Sequence, residues 1–450
     1  MKYIFKRKIY SKILDWKKNS NGETALLIQG ARRIGKSTIA EEFAKREYVS
    51  YLIVDFSIVG KAVYDLFDDM SDLDFFFLRL QNLMGVTLTN RNSVIIFDEI
   101  QLCPKARQAI KHLVKDGRYD YIETGSLLSI KKNVKNILIP SEETRISMYP
   151  MDFEEFLWAV GKSTLFETIS YSFDNLKPLG ETVNRSILRD FRLYMLVGGM
   201  PQAVAEYLSK NNFEDIDNIK RNILELYVSD LQKIDPTGHI SAIFKAIPSE
   251  LSRNNLRYKV GSVVKNGKPS RMGEKLAELA DSMTVNFAYV ADDPNVGFSL
   301  HANHDIFKLF ISDTGLFVTL AFMDRDYTDN LIYQKLLLDK LPTDLGYVFE
   351  NVVAQELRSS GNALYYYIFK EKDNERKENI KNYEIDFLVS RKHKICPIEV
   401  KSSGYKAHKS LDQFNKKYSS RISASYLLYT KDLKKGGNII YLPVYMTSLL

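Results

Sequence analysis

Apolar and polar positions come in blocks along the first third of the chain. Short apolar runs at Thr24–Gln29 (TALLIQ), Tyr51–Phe56 (YLIVDF), Ser93–Phe97 (SVIIF) and Tyr119–Glu123 are separated by stretches with helical spacing, such as Lys36–Arg46. Parallel strands need a crossover long enough to hold a helix, so this alternation predicts an α/β fold with a parallel sheet over residues 1–150. After Pro150 the spacing turns helical to about Asn222, broken at Gly198-Gly199-Met200-Pro201. A second helical group, His239–Met283, leads into two strand-like runs, Val285–Val290 and Phe307–Ser312. Three helices and a hairpin are the layout of a winged helix. From Gly346 the pattern becomes α/β again. It gives a helix at Tyr347–Ser359, strands at Ala363–Phe369, Glu384–Ser390 and Lys394–Lys401, a helix at Ser410–Tyr418, and strands at Ala424–Tyr429 and Asn438–Pro443. Four segments follow: 1–150, a helical segment at 151–235, a winged helix at 236–335, and a C-terminal α/β domain at 336–450.

Composition narrows the setting. Of 450 residues, 45% are hydrophobic and 26% charged, enough apolar content for sizeable cores and against global disorder. The net charge of +7 permits a nucleic-acid partner without demanding one. Cys103 and Cys396 lie far apart, which leaves no disulfide framework or multi-cysteine zinc site and points to reducing, cytoplasmic surroundings. The basic N-terminus lacks the apolar stretch of a signal peptide, and no window is apolar enough to span a membrane, so no membrane partner is expected. The aromatic run Phe75-Phe76-Phe77-Leu78 falls in a charged segment that reads as a helix.

The chemistry begins at Gly30-Ala31-Arg32-Arg33-Ile34-Gly35-Lys36-Ser37, which fits G-x-x-x-x-G-K-S without a gap and is followed by Thr38. Glycines let the backbone wrap close to phosphates, and the amides that open the next helix point at them. Lys36 would meet the outer phosphates, and the Ser37 hydroxyl would ligate Mg²⁺. Nucleotide contacts are expected from Gly30, Arg33, Ile34, Gly35, Lys36, Ser37 and Thr38. The second half of the site is Val94-Ile95-Ile96-Phe97-Asp98-Glu99, an apolar strand ending in two acids. Asp98 would hold Mg²⁺ through its water shell, and Glu99 would orient and deprotonate the attacking water. Thr124 or Ser126, in the Thr124-Gly125-Ser126 turn, would present a polar group to the γ-phosphate, or simply make the turn. Arg145 is either an arginine that reaches phosphate in a neighbouring subunit of a homo-oligomer, or a solvated surface residue.

The ordered set GARRIGKS, IIFDEIQ, ETGS, RISMYPMDFEEF and VGGMPQAV resembles a prokaryotic family of AAA-type ATPases, related to the archaeal and signal-transduction (STAND) P-loop ATPases. The resemblance spans essentially the whole chain. It implies ATP and Mg²⁺ as cofactors, a winged helix, and a C-terminal domain of unknown function. In the related proteins a Gly-x-Pro element of the lid contacts the base; Gly199-Met200-Pro201 matches it, which makes Pro201 a candidate, with an ordinary helix break as the alternative.

Near the C-terminus, Glu384-Ile385-Asp386 precedes Pro397-Ile398-Glu399-Val400-Lys401 across a short basic turn. On a strand Glu399 and Lys401 point to one side, with Asp386 on the neighbouring run and Glu350 on the preceding helix. Carboxylates that hold Mg²⁺ beside a lysine are the kit for phosphodiester cleavage. The set resembles the core of the PD-(D/E)xK nucleases, with Gln413 at a position where some of them carry an active-site residue. Two other readings stay open: a surface salt bridge, or a nuclease-like fold that binds DNA or a protein without cutting. Lys406, Lys409, Lys416 and Lys417 would follow a phosphate backbone or form a solvated face. His301 and His304, the one i, i+3 histidine pair, lack the neighbours of a metal site. The expected protein is an Mg²⁺-dependent ATPase coupled to a nuclease-like domain that acts on or near DNA or RNA. The alternative is an ATP-dependent scaffold that docks a protein or DNA partner.

Overall fold

The computed structural model describes residues 3–125, 141–295, 297–323, 346–372, 380–391 and 393–450. The chain forms two compact units, Met1–Tyr149 with Asp281–Met283, and Pro150–Ala280 with Thr284–Leu450.

The first unit is built on five parallel strands: β1 (Ala25–Gln29), β2 (Ser50–Asp55), β3 (Ser93–Asp98), β4 (Asp120–Gly125) and β5 (Glu143–Ser147). Their order is β2-β3-β4-β1-β5, with every neighbouring pair parallel. β3 is buried along its whole length, as its unbroken apolar run requires of a strand covered on both faces. β5 was not expected, because ETRIS carries a single apolar residue. It exists because β1 offers it a free edge, with Leu27 opposite Arg145. β1 thus lies between the fourth and fifth strands, and chain reversals of this kind open a crevice at the carboxyl ends of a sheet.

Aromatic rings fill one face. Phe97 of β3 lies 5.9 Å from Phe56 and 5.8 Å from Phe67, and Phe67 meets Phe76 at 5.4 Å. Phe76 and Phe77 come from the helix Leu73–Met84, where Phe75 and Leu78 face solvent. Asp72 starts that helix by accepting the Phe75 amide at 3.0 Å, and Gly85 ends it in a left-handed conformation.

Beyond Pro150 come helices at Phe153–Ala159, Ser163–Asp174, Glu181–Val197, Pro201–Lys210, Phe213–Ile234 and His239–Ser252, then a short turn at Val260–Val263 and a helix at Gly273–Asp281. The second unit also holds eight strands: β6 (Val285–Ala291), β7 (Ala302–Ile311), β8 (Leu364–Lys372), β9 (Ile380–Arg391), β10 (Lys394–Val400), β11 (Ser425–Tyr429), β12 (Lys434–Gly436) and β13 (Ile439–Pro443). They form one sheet in the order β12-β13-β11-β10-β9-β8-β6-β7. The antiparallel pair β6/β7 does not stand alone as a wing. β6 pairs in parallel with β8, Ala288 opposite Leu364, so strands expected from two segments share a sheet. An exposed strand edge invites pairing, and here β8 takes it.

The helix Gly346–Ser359 locks this arrangement through a buried polar network. Asn351 exchanges hydrogen bonds with the backbone of Ile311 at 2.9 and 3.1 Å. Gln355 accepts the Thr314 amide and donates to the Tyr194 hydroxyl, both at 2.8 Å. Glu356 accepts from Tyr194 at 2.9 Å and from the Phe153 amide at 3.0 Å. Gly198 and Gly199 are needed for close approach. A Cβ on Gly199 would lie 2.1 Å from the Met151 carbonyl oxygen, and Gly198 adopts φ +84° beside Asp313. The Asp313 carboxylate accepts the Gly199 amide at 2.5 Å.

Candidate functional site

The loop from β1 to the helix Lys36–Glu47 is shaped by its backbone. Arg33 and Gly35 take positive φ, 68° and 96°, which folds the chain back on itself before the helix starts. Gly30 cannot carry a side chain, because a Cβ would come within 2.5 Å of the Met148 carbonyl oxygen. No side chain caps the start of the helix Lys36–Glu47, so its first amides stay available as donors to an anion. Arg7 clamps the loop from outside: its guanidinium donates to the Ile34 carbonyl at 2.9 Å and the Tyr149 carbonyl at 2.6 Å. Nothing in the sequence pattern singled out Arg7, whose partners are backbone carbonyls that no motif records.

Lys36 is buried, and its ammonium donates to the carbonyls of Gly30 at 3.1 Å and Ala31 at 2.9 Å. Burial pushes its pKa down to about 8, against the partial pull of Glu99 and Asp98. It is a cation held by dipoles and short of a full counter-charge. Ser37 donates to Asp98 at 2.8 Å, and the Thr124 hydroxyl donates to the same carboxylate oxygen. Three oxygen-bearing side chains thus meet at the ends of β3 and β4, an all-oxygen set of the kind that suits Mg²⁺. Glu99 sits in the left-handed region at φ 53°, and its carboxylate accepts from the Gln101 side-chain amide. Ile34 is buried, Thr38 half-buried and Arg33 exposed. Ser126 lies outside the described residues.

Arg145, on the edge strand β5, is 44% exposed and bonds Glu143 at 2.5 Å. Glu143 also meets the buried Arg107 at 2.7 Å, and Arg107 reaches Glu123 at 2.6 Å. Burial, reinforced by Glu143, drives Glu123 up to about 8 despite Arg107. Arg145 therefore ends a chain of charges that runs into the sheet. Pro201 belongs to the second unit, where it opens the helix Pro201–Lys210 at a position that needs no amide hydrogen.

A second constellation lies within the second unit. Ile398 of β10 pairs with Phe387 of β9, and the Asp386 carboxylate accepts the Val400 amide at 2.7 Å, which puts Asp386 and Glu399 side by side. Lys401 bonds Glu399 at 2.9 Å, while the other Glu399 oxygen accepts the Leu411 amide at 3.3 Å. The structure adds two residues that the sequence pattern missed. Lys308, on β7, bonds Glu384 and lies 3.4 Å from Glu350. Burial opposes the charge on Lys308, yet Glu350 and Glu384 outweigh it and hold the ammonium above its ordinary value. Burial, then Glu350 and Glu384, push Asp386 well up. Burial also opposes Lys401, and Glu399 with Asp386 and Glu350 overcomes it. Among the described residues no three His, Cys, Asp or Glu side chains are arranged to hold a metal ion. Gln413 is half-buried on the helix Lys409–Lys417, Lys417 pairs with Glu371 at 2.7 Å, and His304 packs edge-on against Tyr289.

The strand order, the loop with its lysine and the acidic end of β3 define the first unit as a P-loop domain. Residues 22–157 match the AAA domain family, in agreement with a P-loop ATPase domain in this part of the chain. Residues 188–327 and 345–446 match two domains of unknown function, DUF8612 and DUF4143. No curated protein matches the chain. Among solved structures, a Walker-type ATPase of Pyrococcus abyssi is similar at 15% identity and TM-score 0.43, over 70% of this chain and 96% of its own. A protein of Vibrio cholerae matches at 10% identity and TM-score 0.17, over 89% and 94%. No helix among the described residues is long and apolar enough to cross a membrane.

Proposed function

We propose that the chain is an Mg²⁺-dependent ATP-binding and ATP-hydrolysing switch whose nucleotide state controls a C-terminal nuclease-like domain acting on or near nucleic acid. The observation that carries this reading is the convergence of Ser37 and Thr124 on Asp98 beside a lysine in want of a counter-charge. Mg²⁺, when bound, neutralises charge on the transferring phosphoryl group. Ser37 and Asp98 are the residues to hold it, directly and through water. Lys36 turns from the Gly30 and Ala31 carbonyls to the outer phosphates. Glu99, freed from Gln101, takes the proton of the attacking water. Arg145 of an adjacent copy, released from Glu143, supplies charge to the transition state. The helical group after Pro150 acts as the lid, and the β6/β7 pair keeps a winged-helix role while built into the larger sheet. The test is Glu99→Gln: it should bind Mg·ATP like the wild type and turn it over about 100-fold or more slowly, since an amide cannot accept the proton. Turnover at the wild-type rate would sink the assignment.

For the C-terminal domain a second reading has a specific observation behind it. The Lys308 ammonium already sits against the acids that a nuclease would offer to its metal. This favours docking of a DNA or protein partner over cleavage, with the whole chain as an ATP-dependent scaffold. A nuclease assay with Mg²⁺ and Mn²⁺ separates the two readings. Cleavage that Asp386→Ala abolishes supports the enzyme; no cleavage with intact ATP hydrolysis supports the scaffold.

A further inference from the structure

The second unit carries a cavity of about 730 Å³ that the P-loop chemistry does not use. It opens at the carboxyl end of β11, beside the segment that follows its parallel neighbour β10, the side of an open α/β sheet where ligands collect. Three tyrosines line it. Tyr429 ends β11 and is buried. Tyr405 packs edge-on to it at 5.3 Å and 72°, and Tyr441 of β13 leans on it at 5.7 Å and 56°. Tyr405 and Tyr441 are only half-buried, so each keeps ring surface toward the cavity.

The polar ends of this wall are already held. The Tyr429 hydroxyl donates to the Asp432 carbonyl, and the Asp432 carboxylate accepts the amides of Gly180 at 2.6 Å and Leu179 at 3.1 Å. The Tyr441 hydroxyl lies 2.9 Å from His408 Nε2, and His408 Nδ1 lies 2.9 Å from Asp412. The fixed hydroxyls of Tyr429 and Tyr441 leave their rings as rigid flat surfaces instead of mobile donors. Around them stand the exposed amines of Lys406 and Lys431. The one cavity acid not tied to backbone amides is Glu181, which pairs with Arg185. The chemistry asked for is a flat aromatic ring joined to an anion.

We propose that this cavity binds a nucleotide unit, with its base against Tyr405 and Tyr441 and its phosphate between Lys406 and Lys431. The volume falls within the ~300–1,000 Å³ of small-molecule sites. Aromatic platforms beside a basic rim are how bases are held without sequence preference. The unit comes either from a free mononucleotide or from the end of a single strand. The proposal does not depend on the carboxylate–lysine cluster cutting anything.

The test uses the full chain with Lys36→Ala, which silences the P-loop, and calorimetric titration with four probes: thymidine 5′-monophosphate, a 5′-phosphorylated oligothymidylate, thymidine and inorganic phosphate. The mononucleotide or the oligonucleotide should saturate the protein, and thymidine and phosphate alone should bind at least about 10-fold more weakly. Tighter binding of the oligonucleotide identifies a strand as the source; equal binding identifies the free nucleotide. Tyr405→Ala and Lys431→Glu should each weaken binding about 10-fold, Lys431→Glu with an unchanged melting temperature. The proposal is overturned if neither nucleotide binds at millimolar concentration, if phosphate alone binds as well as the nucleotide, or if Tyr405→Ala combined with Lys431→Glu keeps the affinity within twofold.

Discussion

Two lysines define the contrast between the P-loop and the carboxylate cluster. Lys36 is buried against backbone carbonyls, with no ion pair to a carboxylate among the described residues, and its pKa falls to about 8. Lys308 is equally hidden but set against Glu350 and Glu384, and its pKa rises. Burial costs both of them the same kind of hydration; only the partners differ. The first site is an electrostatic debt that an anion settles on arrival. The second is settled from within. A lysine beside acids in a sequence does not tell these cases apart.

The largest expected effect comes from removing the first lysine. Lys36→Ala should weaken ATP binding about 100-fold, because a charge-assisted contact to the outer phosphates is lost. An ATP-dependent thermal shift that survives the substitution would remove Lys36 from the site.

Removing the second lysine should cost stability before any activity. Lys308→Met leaves Glu350, Glu384 and Asp386 without their buried counter-charge, a loss of about 3 kcal/mol by analogy with broken buried pairs. The sign with pH follows from the acids. Asp386 and Glu384 are already raised, and without Lys308 they rise further, so the loss should be small at low pH and grow as pH climbs through their folded values. Denaturant melts of both proteins between pH 5 and 8 would measure this. Restoration of the variant by Mn²⁺ would mean that the ammonium stands where a metal fits. A flat stability difference across that range would mean that Lys308 is not the counter-charge.

A smaller effect concerns the charge on Lys36 itself. Its ammonium is the form that phosphate wants, and bound phosphate would raise its depressed pKa again. Nucleotide affinity should therefore hold steady below pH 8 and fall as pH rises past it, by up to tenfold per unit. Affinity constant to pH 9.5 would contradict the depressed pKa.

The smallest effect is expected at Asp386. Its acid form is favoured by burial and by two neighbouring carboxylates, and Asn keeps an oxygen for the Val400 amide. Asp386→Asn should change stability at pH 7 by no more than about 1 kcal/mol, whereas under the nuclease reading it should abolish Mn²⁺-dependent cleavage. A loss several times larger would show that Asp386 is ionised in the fold.

Much of the P-loop was legible because its chemistry is local. Gly30, Gly35, Lys36 and Ser37 act through one turn and one helix start, and Asp98 and Glu99 end an apolar run that reads as a buried strand without help. Most strands of the C-terminal domain were legible for the same reason, from Leu364–Lys372 to Ile439–Pro443, but the short polar β12 was not. β5 was not, since a polar edge strand has no periodicity of its own and is defined by the neighbour it pairs with. Nor was Arg7, whose role lies in carbonyls up to 142 residues away.

The sequence by itself determined the phosphate-binding loop, the acidic strand end and the pairing of Asp386 with Glu399 and Lys401, because each is set by residue spacing within a turn, a strand or a hairpin. Only the tertiary structure decided that β6 and β8 join two segments in one sheet, and that Lys308 and Glu384 enter the carboxylate cluster. It also decided that the tyrosines of the segment after β10 and of β11 and β13 close around one cavity. The physical reason is common to all three. Sheet edges, buried charges and aromatic faces are satisfied by whichever partner the fold brings near, and that partner leaves no mark at a fixed distance along the chain.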